Sequence, residues 1–284
     1  MTVDSFNVPI DLHGQVALIT GGGRGLGRAF AQALAAAGAA VAVTARSETQ
    51  VQETARLIVA AGGRALALPG DVTDAPIVTH IVETVEQRLG SIDILVNNAG
   101  IITPIGPVWE IDPNTWWHTL DIHVRGSFLY AHAVLPTMMA RRRGRIINIT
   151  SPAAWNAVPY GSAYGLSKAA LSYLTGCLAG ETQQYGIAVF AYAPGFVRSA
   201  MTEYLAEAPE VERWFGDTFS SIFASGTDTP IAQTVQGLLW LVSGAADALS
   251  GRDIGDGDDI ADLVQRATEI QQTNHYTLAR ITEG

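Results

Sequence analysis

Apolar positions along the first two thirds of the chain alternate between two patterns. Short, continuous apolar runs at 16–20, 40–44, 65–68, 92–96, 145–150 and 187–192 predict buried strands. Between them, at 24–37, 50–61, 77–89, 114–140 and 163–181, apolar residues recur at three- and four-residue spacing and predict helices. Gly38 and Gly62-Gly63 supply stop signals, and Asp112-Pro113 supplies a start. Strands that are apolar throughout, each followed by a helix, imply a parallel sheet covered on both faces. Right-handed crossovers then give an α/β, doubly wound sheet with its ligands at the carboxyl ends of the strands. After Pro194-Gly195 the pattern breaks into an aromatic-rich helical excursion at about 196–224, then a helix at 229–249, a short strand at 252–254 and a polar amphipathic tail at about 260–284. No repeat or composition break divides the chain, so a single domain over 1–284 is expected.

Composition narrows the function classes. With 284 residues, 48% of them hydrophobic, the chain can bury a sizeable core without a covalent staple. A lone cysteine, Cys177, excludes an intramolecular disulfide and a cysteine-based zinc site, and no metal is expected. Seventeen basic against 27 acidic residues, a net charge of −10, argue against nucleic acid or an anionic membrane as partner. No apolar stretch is long enough to span a bilayer. The first fourteen residues carry acids and no basic cluster, so no secretory signal is expected and a cytoplasmic location is.

Two features carry chemistry. The first is Gly21-Gly22-Gly23-Arg24-Gly25-Leu26-Gly27, which follows a strand and opens a helix. Glycines there permit a tight turn and close backbone approach, and the helix N-terminus offers free N–H groups to a pyrophosphate. The spacing is G-x-x-x-G-x-G rather than G-x-G-x-x-G, and no Gly-Lys-[Ser/Thr] follows, so a P-loop is excluded. The second is Tyr164 and Lys168, four residues apart and so on one helix face. A nearby ammonium favours phenolate and would bring a tyrosine within range of general acid/base work. Ser151 closes the strand before them, at the ligand-binding edge of the sheet.

Taken in order, these pieces resemble the short-chain dehydrogenase/reductase family, over about residues 12–254. The matching residues are Thr20-Gly21-x-x-x-Gly25-x-Gly27, Asp71-Val72, Asn97-Asn98-Ala99-Gly100, Ser151 thirteen residues before Tyr164-x-x-x-Lys168, and Pro194-Gly195. The resemblance implies a Rossmann-type fold and hydride transfer between a carbonyl or secondary alcohol and a nicotinamide. It implies that Tyr164 moves the proton, Ser151 holds the substrate oxygen, and Lys168 tunes Tyr164 and binds the nicotinamide ribose. Gly21, Arg24, Gly25, Leu26, Gly27, Asp71, Val72, Asn98, Ala99, Gly100, Pro194, Gly195 and Val197 would hold the dinucleotide, with Ser199 near its carboxamide.

The second strand ends in Ala45-Arg46-Ser47 where an NAD-binding acid would stand. Arg24, Arg46 and Ser47 suit a 2′-phosphate, so NADP(H) is favoured, with NAD(H) the alternative. The family often has an asparagine in an Asn-x-x-Gly setting 41 residues before the tyrosine; here His123 takes that position. Neutral imidazole can still hold a relay water, and its titration predicts an extra ionisation near pH 6–7; a packed, inert histidine is the competing reading. Trp155, Tyr160, Phe196, Met201 and Tyr204 suggest an apolar pocket for a hydrophobic or cyclic ketone or alcohol. Asp253 to Asp259 lacks calcium-loop spacing and reads as a solvated turn. The resemblance also implies a homo-oligomer, dimeric or tetrameric. Two other classes stay open: a nucleotide-binding sensor or scaffold with weak or no turnover, and a lyase or dehalogenase that works without cofactor.

Overall fold

A computed structural model describes residues 10–278. The expectation about the extreme N-terminus falls mainly on residues 1–9, and the end of the tail on 279–284; both lie outside the described residues. Strands β1 (Val16–Thr20), β2 (Ala40–Ala45), β3 (Arg64–Pro69), β4 (Ile94–Asn97), β5 (Gly144–Ile149), β6 (Ile187–Ala193) and β7 (Asp253–Gly255) form one parallel sheet in the order β3-β2-β1-β4-β5-β6-β7. The order reverses between β1 and β4, the switch point at which a doubly wound sheet opens a crevice beyond its strand ends.

Helices α1 (Gly25–Ala36), α2 (Glu48–Ala60), α3 (Ala75–Arg88), α4 (Pro113–Leu120), α5 (Gly126–Arg141) and α6 (Ser162–Thr182) cover the two faces. Alternate residues of one strand serve opposite faces: Ala17 and Ile19 pack with Phe30 and Leu34 of α1, while Val16 and Leu18 pack with Ile81 of α3 and Val134 of α5. This double burial is why the strands read as unbroken apolar runs.

The helix expected over 114–140 runs from α4 to α5 through one π-helical turn, Asp121–Arg125. Such turns often mark functional positions, and this one carries His123. The excursion after β6 resolves into three short helices, α7 (Ala200–Glu207), α8 (Pro209–Phe215) and α9 (Thr218–Ser225). Beyond it come α10 (Ile231–Ser243), ending earlier than the predicted 249, and after β7 the tail helices α11 (Ile260–Gln265) and α12 (Ala267–Gln271). Their residues Ile260, Leu263 and Ile270 join the core, so these two helices are docked. Among the described residues no helix is long and apolar enough to cross a membrane.

Candidate active site

The glycine loop connects β1 to α1 with Gly21 at φ +64° and Gly25 at φ +52°, backbone conformations that a side chain strains. Gly27 has a steric role: a Cβ there would lie 2.2 Å from the Gly21 carbonyl oxygen. Asn98 holds the loop from the next strand. Its Nδ2 donates to the Thr20 carbonyl at 2.9 Å, and its backbone N–H donates to Thr20 Oγ1 at 3.0 Å. The asparagine side chain is thus committed to shaping the cradle.

The loop forms one end of a cleft of about 760 Å³ at the carboxyl ends of the strands. Gly21, Arg24, Gly25, Leu26, Gly27, Arg46, Ser47, Asp71, Val72, Asn98, Ala99, Gly100, Pro194, Gly195 and Val197 all line it, as do Ser151, Tyr164 and Lys168. Neither Arg24 nor Arg46 forms a salt bridge among the described residues. Burial alone would raise the Asp71 carboxyl, but hydrogen bonds from Thr73 and the Arg46 charge outweigh it and hold the group below its ordinary range. A close-approach backbone, two uncommitted guanidinium groups and a helix N-terminus fit a phosphorylated dinucleotide.

At the other end stand the three polar residues. Tyr164 and Lys168 project from one face of α6, and Ser151 follows β5. Lys168 is 4% exposed; its Nζ donates to the Ile149 carbonyl at 2.8 Å and lies 5.3 Å from the Tyr164 ring centroid. Burial pulls the Lys168 pKa down to about 7. Burial raises the Tyr164 phenol, while its hydrogen bond with Ser151 works in the opposite direction. The phenol therefore carries its proton near neutrality. No lowering by Lys168 offsets that burial; Nζ lies over the Tyr164 ring and donates to the Ile149 carbonyl.

His123 does not line the cleft; it is 1% exposed, beneath Gly100 and beside Tyr164. Its Nε2 lies 2.8 Å from the Ile101 carbonyl and 3.0 Å from the Ile101 amide, and Nδ1 has no partner among the described residues. Burial, then the Lys168 charge, pushes its pKa well below the usual imidazole value. The expected ionisation near pH 6–7 is corrected accordingly, since a ring this buried stays neutral there.

Of the residues expected to form a substrate pocket, Phe196 and Met201 line the cleft; Trp155, Tyr160 and Tyr204 do not. The Trp155 indole N–H donates to Asp253 at 3.1 Å, Tyr160 stacks on Trp214 with centroids 4.7 Å apart, and Tyr204 donates to Glu210 at 2.7 Å. In their place Ile102, Ile105, Val158, Leu205, Phe215 and Phe219 complete an apolar wall. The first three sit on irregular loops, where no periodicity announces them; Leu205, Phe215 and Phe219 were visible only as part of the aromatic-rich excursion.

Fold and cleft together define a dinucleotide-type α/β protein with a Ser-Tyr-Lys cluster. Comparison with known proteins makes the class specific. The family model for short chain dehydrogenases matches residues 15–210, and the chain belongs to that family. A short chain dehydrogenase of Monascus purpureus is 34% identical over 268 residues, 92% of this chain and 86% of its own length. Another, from Pseudocercospora fijiensis, is 40% identical over 192 residues, 67% of this chain and 62% of its own. Among solved structures, a gluconate 5-dehydrogenase from Burkholderia cenocepacia in complex with NADP and tartrate superposes with a TM-score of 0.77 at 32% identity, covering 86% of this chain and 93% of that one.

Proposed function

We propose that the protein is an NADP(H)-dependent oxidoreductase that interconverts a carbonyl and a secondary alcohol on an apolar or cyclic substrate, with Tyr164 as general acid/base. The observation that carries the reading is the continuity of one cleft from Arg46 and Ser47, through the glycine loop, to Ser151, Tyr164 and Lys168. Arg24, Arg46 and Ser47 would hold the 2′-phosphate, the glycine loop the pyrophosphate, and Lys168, Pro194, Gly195 and Val197 the nicotinamide end. When bound, the dinucleotide supplies the hydride, and the protein supplies orientation and proton transfer.

In the reducing direction Ser151 donates a hydrogen bond to the carbonyl oxygen, and the Tyr164 hydroxyl passes it a proton as negative charge develops. Burial keeps the phenol protonated near neutrality, the form that reduction consumes. The apolar wall of Ile102, Ile105, Phe196, Phe215 and Phe219 favours a substrate that buries hydrocarbon. The nearby cations are otherwise engaged: Arg198 lies 3.9 Å over Phe223, and Arg213 lies 4.4 Å over Trp214. Exposed Phe128, Leu166 and Tyr173 on α5 and α6 support assembly into a homo-oligomer through these helices.

The experiment is a panel of apolar and cyclic ketones, α-tetralone among them, offered with NADPH or NADH. Consumption of NADPH, faster than of NADH, is the expected result. Tight dinucleotide binding with no turnover of any ketone would instead make the protein a sensor.

A further inference from the structure

Asp253 stands on β7, where the sequence suggested a solvated turn, yet it is 4% exposed. Its carboxylate accepts three hydrogen bonds from two segments, the stretch that follows β5 and helix α6. Oδ1 accepts from Thr150 Oγ1 at 3.1 Å, and Oδ2 accepts from the Trp155 indole at 3.1 Å and from Ser172 Oγ. Each donor adjoins the proposed machinery. Thr150 immediately precedes Ser151. Trp155 closes the single turn, Pro152–Ala154, that Ser151 opens. Ser172 lies four residues beyond Lys168 and eight beyond Tyr164, on the same face of α6.

We propose that Asp253 is a positioning residue for the carbonyl reduction: its carboxylate fixes the spacing between the strand end that carries Ser151 and the helix that carries Tyr164 and Lys168. The inference rests on the functional reading above. An ionised carboxylate is acceptor-only, which suits three converging donors, and hydrogen bonds to a charge are the stronger kind. The indole N–H can only donate, so Oδ2 has to remain an acceptor. A neutral side chain of the same shape reverses the polarity at one oxygen and turns a hydroxyl away.

The charges around Asp253 are few. Asp258 faces it from the same segment, while Asp256 turns to Thr229, which donates to it at 2.7 Å. On α6 the nearby charge is Lys168, bound to the Ile149 carbonyl. Thr150 to Trp155 carry no charged side chain. Arg252 is spent on tail carbonyls of Ile270, Thr273 and His275. Burial, with Asp258 adding to it against the three hydrogen bonds, raises the carboxyl pKa to about 6. Below that pH a proton enters the cluster, and the bracing of Ser151 weakens.

The test compares wild type with Asp253→Asn in four measurements: melting temperature, NADPH Kd, kcat for α-tetralone across pH, and the Tyr164 phenol midpoint from difference spectra against Tyr164→Phe. The expected result is a kcat lowered about tenfold, because small misplacements at a reacting centre are costly. NADPH Kd should stay within about twofold. The acid limb near pH 6 should disappear, and the phenol midpoint should rise by about half a unit as the hydrogen bond with Ser151 loosens. A kcat within about twofold of wild type, or a loss that merely follows a fall in melting temperature, overturns the proposal. If the wild type does not reduce α-tetralone, the functional reading fails on that probe, and the phenol midpoint alone decides the positioning role: a rise supports it, and no change overturns it. If Asp253→Asn does not fold, Ser172→Ala and Thr150→Val decide in its place, each expected to lower kcat about threefold, and wild-type behaviour in both overturns the proposal.

Discussion

The imidazole of His123 meets the ring of Tyr164 edge-on, with centroids 5.7 Å apart and an interplanar angle of 88°. The histidine therefore packs beneath the proposed acid rather than opening into the cleft, and burial keeps it neutral. Rate profiles of wild type and His123→Asn should superimpose between about pH 6 and 8, with no ionisation lost in the variant. Stability should respond instead. The unfolded chain takes up a proton on His123 below about pH 6.5 and the folded one does not, so wild-type stability falls as pH drops through that value. Thermal melts of the variant should lack that component; a rate limb near pH 6.5 that vanishes in the variant would reinstate titration at the site.

Lys168 presents the cost of a buried amine. Its pKa falls from 10.5 to about 7, so protonation is penalised in the fold relative to the unfolded chain. Between those two values the unfolded state binds more protons, and wild-type stability rises with pH. Lys168→Met should remove that rise and stabilise the protein by a few kcal/mol at pH 7 and below, while abolishing turnover. Chemical denaturation at pH 7 and pH 9 checks it; a destabilised Lys168→Met at both values contradicts it.

Arg46 carries the proposed preference for the phosphorylated dinucleotide. Arg46→Ala should weaken NADPH binding at least about tenfold and leave NADH binding nearly unchanged, because a charge-assisted bond to phosphate is lost. Fluorescence titration with both dinucleotides measures this. Equal losses for the two would assign Arg46 to the fold, beside Asp71.

Gly27→Ala places a methyl group 2.2 Å from the Gly21 carbonyl oxygen. The loop has to move, at a cost of about 1–3 kcal/mol. A lowered melting temperature together with loss of dinucleotide binding is expected. Wild-type affinity in this variant would mean that the loop is not the pyrophosphate cradle.

The sheet was legible in the sequence because its signal is local: unbroken apolar runs for strands buried on both faces. Helical spacing placed only Tyr164 and Lys168 on one side; Ser151 lies outside that helix and joined them through the family resemblance, and all three line one cleft. The π-helical turn at Asp121–Arg125 was not legible, since no proline or glycine falls within it to mark a break in the helical run. Side-chain direction was also hidden. Tyr160 adopts φ +65°, which swings its ring onto Trp214, and Trp155 turns its N–H to Asp253. Asp253 itself looked solvated among acidic neighbours, and only its place on β7 buries it. Arg141 and Arg143, at the end of α5, both bind the buried Asp93, at 2.8 and 2.6 Å, a pairing across about 50 residues that no local pattern announces.

The central claim, proton transfer by Tyr164 in a dinucleotide-dependent carbonyl reduction, is tested most directly by comparing NADPH consumption by wild type and Tyr164→Phe with the same ketone. The account predicts a fall in kcat of about 10²–10⁴-fold, with NADPH affinity retained. Equal rates in the two proteins would contradict it.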